Sequence, residues 1–189
     1  ITVPAGLHTI MGASSRHGEG ATTVALGLST ALARERDTRV LLMEANLRSP
    51  SLRYLLPVDA PLGLSDYALG RAAPEAIVTR VDAWNLSVIP AGSQPAATVG
   101  VEAMDALLTR LQAQFDFMVV DVAPVNVYAD ASVLAPKVDG VILVVEADRT
   151  PVVEAEAAKR QLDKVGARIL GVVLNRQRSY IPAFIENLL

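Results

Sequence analysis

The stretch Thr9-Ile-Met-Gly-Ala-Ser-Ser-Arg-His-Gly-Glu-Gly-Ala-Thr-Thr23 decides the fold, because it runs from an aliphatic segment through a glycine-rich loop into a helical pattern. Glycines let backbone amides turn inward, and a helix N-terminus adds partial positive charge, so the loop predicts a cradle for an anion. Thr22 or Thr23 could present a hydroxyl to a magnesium ion there. A glycine turn that is capped by threonine and binds nothing is the alternative that this stretch alone leaves open.

Further aliphatic runs of strand length follow the first one, Thr9–Met11. They are Val40–Met43, Leu86–Ile89, Phe117–Val120, Val141–Val145 and Ile169–Leu174. Consecutive apolar positions suit strands that are covered on both faces of a parallel sheet. Segments with helical spacing lie between the runs, and they include Ala25, Leu28, Leu32, Val101, Met104, Leu107, Val152, Ala155 and Ala158. This alternation predicts an α/β fold: a doubly wound, mostly parallel sheet with helices on both faces.

Composition sets the broad class of the protein. Of 189 residues, 51% are hydrophobic and 20% are charged, and the net charge is −3. We therefore expect a single domain over residues 1–189, with a full core and without binding of nucleic acid. The lack of cysteine excludes disulfides, a thiol nucleophile and cysteine-ligated metals. Because the first residue is Ile1 and not Met, we expect a fragment of a longer chain.

Ligands of such sheets bind at the carboxyl ends of the strands, so the residues that follow each run are the candidates for chemistry. Besides the glycine loop, these segments are Glu44–Arg48, Asp121–Pro124, Glu146–Thr150 and Asn175–Arg178.

In their order and spacing, the segments resemble the cytoplasmic domain of the bacterial tyrosine kinases that regulate capsule and exopolysaccharide export. That family has a P-loop NTPase fold and is related to the Min-system and plasmid-partitioning ATPases. Ser14–Thr23 is similar to its loop Ser-x-x-Pro-Gly-Glu-Gly-Lys-Ser/Thr, and Val40–Pro50 to its strand ending Asp-x-Asp-x-Arg-x-Pro. Phe115–Pro124 resembles its Walker B strand. Gly63–Gly70 and Gly171–Asn175 resemble two further segments, of which the second ends in an asparagine near the adenine.

The resemblance implies a site for ATP and magnesium. The residues implied in nucleotide binding are Gly18, Glu19, Gly20, Ala21, Thr22, Thr23, Arg48, Asn175 and Arg176. Thr22 and Asp121 would hold magnesium, and the catalytic positions would be Glu44, Asn46 and Asp121. Within the loop, we expect the carboxylate of Glu19 to be solvated.

The sequence departs from the family at the positions that carry the chemistry. Ala21 replaces the lysine of the loop, whose charge-assisted hydrogen bond is worth ~1.5–3 kcal/mol, so triphosphate binding should weaken roughly ten- to a hundred-fold. One lost electrostatic donor also costs ~10²–10³ in rate. Glu44 and Asn46 replace two aspartates, and an asparagine cannot act as a general base. Arg16 could substitute for the lysine, but we expect it to be a solvated loop residue.

We therefore expect a degenerate tyrosine-kinase-like domain, a pseudokinase, that regulates polysaccharide polymerisation and export with weak ATP binding or none. Two alternatives stay open: an active tyrosine autokinase that uses Arg16 and Glu44, and a partitioning-type ATPase. The resemblance implies an inner-membrane polysaccharide co-polymerase as partner, a homo-oligomer, and a cytoplasmic location at the inner membrane through a fused or partner membrane segment. The end of the chain, Tyr180–Leu189, has one tyrosine instead of the family's tyrosine cluster, and we expect it to dock on the body of the protein.

Overall fold

The computed structural model describes residues 6–57, 59–94 and 98–178, so the expectations about Ile1 and about Tyr180–Leu189 lie outside the described residues. The described chain forms a seven-stranded sheet in the order β3-β4-β2-β5-β1-β6-β7. Its strands are β1 (Thr9–Ser14), β2 (Val40–Glu44), β3 (Thr79–Val81), β4 (Leu86–Ile89), β5 (Phe117–Asp121), β6 (Gly140–Glu146) and β7 (Ile169–Asn175). All neighbouring pairs are parallel except β3 and β4.

Helices connect the strands. They are α1 (Ala21–Leu32), α2 (Leu52–Leu55), α3 (Leu64–Ala68), α4 (Val101–Gln112), α5 (Asp130–Leu134) and α6 (Val152–Lys164), with 3₁₀ turns at Pro74–Ile77, Asp82–Trp84 and Ala135–Lys137. The three long helices are those that the apolar spacing predicts. The short elements α2, α5 and β3 cannot be predicted in this way, because three to five residues are too few to show a helical or strand period of apolar side chains.

Two apolar cores lie on opposite faces of the sheet. The neighbouring residues Leu42 and Met43 of β2 are both fully buried, and they belong to different cores because successive side chains of a strand point to opposite faces. The core with Met43 also contains Met104 and Leu107 of α4, whereas the core with Leu42 contains Leu32 of α1. The predicted fold, a mostly parallel sheet with helices on both faces, is confirmed.

The edge strand β7 differs from the prediction. Its apolar run predicts a strand that is covered on both faces, but Val172 is 60% exposed and Leu174 is 54% exposed. An edge strand has a neighbour on one side only, so less of the described chain packs over it. None of the helices in the described ranges has the length and apolarity needed to cross a bilayer.

Strand register brings the candidate residues together. Asp121, the last residue of β5, pairs with Gly12 on β1 and with Glu44 on β2. The glycine loop begins directly after β1, at the same edge of the sheet. The carboxyl ends of β1, β2 and β5 therefore form the floor of the site.

Candidate functional site

The glycine loop wraps around the N-terminus of α1. Gly18 and Gly20 have φ of 85° and 90°, a left-handed conformation that side chains disfavour. A Cβ on Gly20 would also lie 2.2 Å from Nδ2 of Asn175. Gly20 is the N-cap of α1 and offers no side chain to the first amides of the helix, and no side chain of the described residues caps them, so they are open to an anion. The structure thus has the loop conformation that the predicted cradle requires, and the binding of an anion there stays a prediction.

A cavity of about 290 Å³ opens in front of this cradle, and we call it the phosphate pocket. Its lining comprises Ser14, His17, Gly18, Gly20, Ala21, Thr22, Thr23, Asn46, Ser49, Ser51, Leu55, Val122, Pro124 and Arg176. Seven of the residues predicted for the site are among these. The other five, Glu19, Glu44, Arg48, Asp121 and Asn175, lie behind or beside the pocket.

Asp121 is buried behind Thr22. The Thr22 hydroxyl donates a hydrogen bond of 2.7 Å to Oδ2 of Asp121, whereas Oδ1 is buried and has no partner among the described residues. Burial raises the pKa of Asp121 to about 7; the Thr22 hydroxyl opposes this rise and the nearby Glu44 carboxylate adds to it. An unpaired buried carboxylate oxygen favours a cation close by.

The pair Thr22 and Asp121 fits a magnesium ion that takes its other ligands from water and phosphate. In the described ranges, no three His, Cys, Asp or Glu side chains are placed to hold a metal by themselves. Magnesium usually keeps several waters and binds through one or two protein oxygens plus the phosphates of a substrate, so such a cluster is not required.

Glu44 is buried, and its carboxylate is occupied by the backbone. Oε1 accepts hydrogen bonds from the amides of Ser51 (2.5 Å) and Leu52 (2.7 Å), and Oε2 accepts one from Ala91 (3.1 Å). The extra methylene of glutamate, compared with aspartate, gives the carboxylate the reach for these amides. Glu44 is not part of the pocket lining, and its oxygens hold α2 and the turn after β4 in place.

Asn46 and Arg48, which follow Glu44 in the segment Glu44–Arg48, lie in different places. Asn46 lines the phosphate pocket, and its Oδ1 accepts a hydrogen bond of 3.2 Å from the amide of Ser49. Arg48 lies outside the pocket: its Nε is 3.4 Å from Asp130, and its guanidinium stacks 5.4 Å from the centre of the Tyr128 ring.

Glu19 is fully buried, so the prediction of a solvated carboxylate is wrong. Its carboxylate accepts hydrogen bonds from the amides of Ser15 (2.7 Å) and Arg16 (2.9 Å), and also from the hydroxyls of Ser15 and Thr150. The loop turns these donors inward onto its own side chain. Sequence reasoning missed the contact with Thr150, because nothing in the local pattern shows which distant hydroxyl will reach the loop.

The cations near the loop are already paired. Arg16 donates to the carbonyl of Arg149 at 2.5 Å and lies 3.5 Å from Glu154, and it does not line the pocket. Arg176 does line it, with its guanidinium 3.2 Å from Glu146. Among the described lining residues, Arg176 is thus the one permanent cation, and it shares the Glu146 carboxylate with Arg149, which lies 3.5 Å from the same oxygen.

The amide side chain of Asn175 touches the loop from the other side. Its Nδ2 donates a hydrogen bond of 2.8 Å to the carbonyl of Glu19, and its Oδ1 accepts one from the amide of Arg176. Asn175 therefore fixes the end of β7 against the glycine loop.

Comparisons with known proteins agree with this architecture. No protein-family model matches the sequence. The tyrosine-protein kinase CpsD of Streptococcus agalactiae is 27% identical over 175 residues, which cover 90% of this chain and 76% of CpsD. The succinoglycan biosynthesis transport protein ExoP of Rhizobium meliloti is 29% identical over 170 residues, which are 87% of this chain but 22% of ExoP.

Solved structures of kinase domains and of a cell-division ATPase share this fold. The kinase domain of VpsO superposes with a TM-score of 0.82 and 29% identity, covering 91% of this chain and 86% of that domain. The cell-division ATPase MinD of Pyrococcus furiosus superposes with a TM-score of 0.78 and 28% identity, covering 96% of this chain and 78% of MinD.

Proposed function

Since this chain is a homologue of the bacterial tyrosine kinases of the P-loop ATPase class, we propose that it is a degenerate kinase-like domain with little phosphoryl transfer. It binds ATP weakly or not at all and regulates the polymerisation and export of an exopolysaccharide or capsule. The similarity to the succinoglycan biosynthesis transport protein ExoP supports the export role.

The observation that carries this proposal is that, among the described residues, the phosphate pocket has no unpaired permanent cation. Ala21 is buried at the position of the family's lysine, Arg16 is turned away, and Arg176 is paired with Glu146. A triphosphate would enter a site with a formed backbone cradle but without the ammonium that balances its charge. Binding through the cradle alone is weaker, and the charge that develops during phosphoryl transfer is not stabilised.

The two positions at which the family carries its paired aspartates, Glu44 and Asn46, offer no general base, which supports the same conclusion. Asn46 has no proton-accepting carboxylate, and the carboxylate of Glu44 is filled by three backbone amides. Neither residue is arranged to take a proton from an attacking tyrosine hydroxyl.

Magnesium fits what is left of the site. Thr22 and Asp121 would hold it, because their oxygens meet beside the cradle and Oδ1 of Asp121 has no partner among the residues that the structure describes. When bound, magnesium neutralises phosphate oxygens. An active kinase is the second candidate function, and the intact pair of Thr22 and Asp121 is the observation in its favour.

The partner we propose is an inner-membrane polysaccharide co-polymerase, carried on the same chain or on a separate one, with the domain on the cytoplasmic side and able to form homo-oligomers. The matching segment is only 22% of ExoP, so a domain of this kind occurs within a much longer transport protein.

Calorimetric titration with magnesium ATP tests the proposal, using the unchanged chain and the variant Ala21→Lys. Restoring the ammonium should tighten binding roughly ten- to a hundred-fold, whereas Ala113→Lys, the same charge at an exposed position after α4, should leave binding unchanged. Neither variant should form phosphotyrosine. Micromolar binding by the unchanged chain, together with phosphate release or tyrosine phosphorylation, would show an active kinase instead.

A further inference from the structure

A second cavity, of about 360 Å³, lies beside the phosphate pocket, and we call it the side cavity. It sits beyond the ends of β2 and β5, against the N-terminal turn of α4 and against α5. Its described lining comprises Ala45, Leu47, Arg48, Thr98, Val99, Gly100, Val101, Met104, Tyr128, Ala129, Asp130, Val133 and Leu134. None of these residues lines the phosphate pocket, and the proposed function does not use the side cavity.

Most of the wall is apolar. Leu47, Met104 and Leu134 are buried and form the inner surface. Val101 on α4 and Val133 on α5 are each 40% exposed, so they border the opening. Concave apolar surfaces of this size, with a few polar groups, are typical of sites for small molecules.

The polar groups of the side cavity favour a negative charge. Arg48 meets Asp130 only through Nε, and in the part of the chain that the structure describes its two terminal nitrogens donate no hydrogen bond. A guanidinium whose two terminal nitrogens are available can donate paired hydrogen bonds to a carboxylate, sulfonate or phosphate. The N-terminus of α4 adds partial positive charge, because its N-cap is Gly100 and no side chain of the described residues caps it.

Two carboxylates oppose this preference. Asp130 lies against Nε of Arg48, and the exposed Glu102 is in the first turn of α4. Neither occupies the terminal nitrogens of Arg48, so one anionic group can still be bound there.

We propose that the side cavity binds a small amphipathic anion. The apolar body of such a molecule, aromatic or aliphatic, would pack against Leu47, Met104 and Leu134. Its single carboxylate, sulfonate or phosphate group would bind Arg48. The volume suits a small molecule and is too small for a folded partner.

The fluorescent aromatic sulfonate 8-anilinonaphthalene-1-sulfonate is the probe for this site, titrated into the intact chain by fluorescence and calorimetry. We expect one molecule bound per chain. Arg48→Gln should weaken binding at least tenfold, because it removes the anion partner. Val133→Phe should weaken it at least tenfold by filling the opening. The matched control Val153→Phe, at an exposed valine on α6, should leave it unchanged.

The uncharged N-phenyl-1-naphthylamine separates the two parts of the proposal. It should bind at least tenfold more weakly than the sulfonate and should not respond to Arg48→Gln. Equal affinity of the two probes would overturn the anion preference.

Three further results would overturn the site itself. The first is unchanged binding of the probe by Val133→Phe, and the second is displacement of the probe by excess magnesium ATP. The third is binding of several probe molecules together with loss of a cooperative thermal transition. If Val133→Phe does not fold, Val101→Phe blocks the same opening from α4 and carries the same test. A failure here leaves the proposed kinase-like function untouched, because that function rests on the phosphate pocket.

Discussion

Three buried carboxylates surround the glycine loop, and each has a different set of partners. Glu19 is bound by the loop and by Thr150, and Glu44 by the amides of α2 and of the turn after β4. Within the described ranges, Asp121 has one hydroxyl donor and one oxygen without a partner. Only Asp121 therefore retains an acceptor for a cation, and the first two act as structural anchors.

The anchoring role of Glu44 can be measured through Glu44→Ala. This change leaves three amide donors without their acceptor, each costing ~1–3 kcal/mol when buried, so we expect a loss of about 3–5 kcal/mol in the free energy of unfolding. Urea titration measures it. Glu156→Ala, which removes a carboxylate from an exposed pair on α6, should cost ~0.5 kcal/mol or less. A comparable loss in both variants would contradict the anchoring role.

Asp121 predicts a pH dependence of stability. Burial raises its pKa to about 7 in the folded chain, whereas an unfolded aspartate titrates near ~3.9. Between these values the folded state binds more protons than the unfolded state, so the Asp121 contribution to stability declines as the pH rises from about 4 to about 7.

The variant Asp121→Asn removes this titration. From pH 4 to pH 8 its free energy of unfolding should rise relative to that of the unchanged chain by as much as ~4 kcal/mol. Urea unfolding without metal, at a series of pH values, measures the difference. Parallel profiles for the two proteins would show that Asp121 is already ionised in the folded state at low pH.

At the scale of elements, α3 is packed unusually closely against the end of β4. The amide of Leu64 donates to the carbonyl of Pro90, and Asp66 accepts hydrogen bonds from the amides of Gly63 and Ser93. A Cβ on Gly63 would lie 2.2 Å from the carbonyl oxygen of Pro90, which is a backbone atom that cannot easily move. Glycine at position 63 thus permits the contact between the two elements.

We expect Gly63→Ala to lower the free energy of unfolding by about 2–3 kcal/mol through this overlap. Gly27→Ala is the matched control: its Cβ would meet no atom within 4 Å, and alanine inside the exposed face of α1 should stabilise the protein by ~0.5–1 kcal/mol. Thermal and urea unfolding measure both. Destabilisation of equal size at the two positions would argue against the close packing of α3.

At the scale of the whole molecule, one sheet separates two cores. A substitution that opens a cavity in either core should therefore lower the stability of the whole domain. Leu42 and Met43 are neighbours on β2, both fully buried, and point into different cores. We expect Leu42→Ala and Met43→Ala each to cost about 2–5 kcal/mol. Each should shift a single transition without changing its slope against denaturant.

Circular dichroism and the fluorescence of Trp84, which lies near the β3 edge, report on this cooperativity. The two signals should change at the same denaturant concentration in both variants. An early transition in one signal would show that one face of the sheet unfolds separately.

Much of the fold could be predicted from the sequence. Strands that are buried on both faces must be apolar at consecutive positions, and this constraint makes runs such as Val40–Met43 and Val141–Val145 visible. The cradle was visible too, because the left-handed conformation at Gly18 and Gly20 strongly favours glycine. The edge position of β7 could not be predicted, because its apolar run looks the same as that of a central strand.

The roles of the polar side chains were decided by the tertiary structure. Glu44 finds an amide 47 residues away and Glu19 a hydroxyl 131 residues away, while Arg48 turns to Asp130 instead of the phosphate pocket. By itself, the sequence determined the layered sheet and the phosphate cradle, because apolar periodicity and glycine conformation are local properties. Only the tertiary structure decided which charges face the pocket, because a buried charge is held by whichever donors the folded chain brings within hydrogen-bond distance.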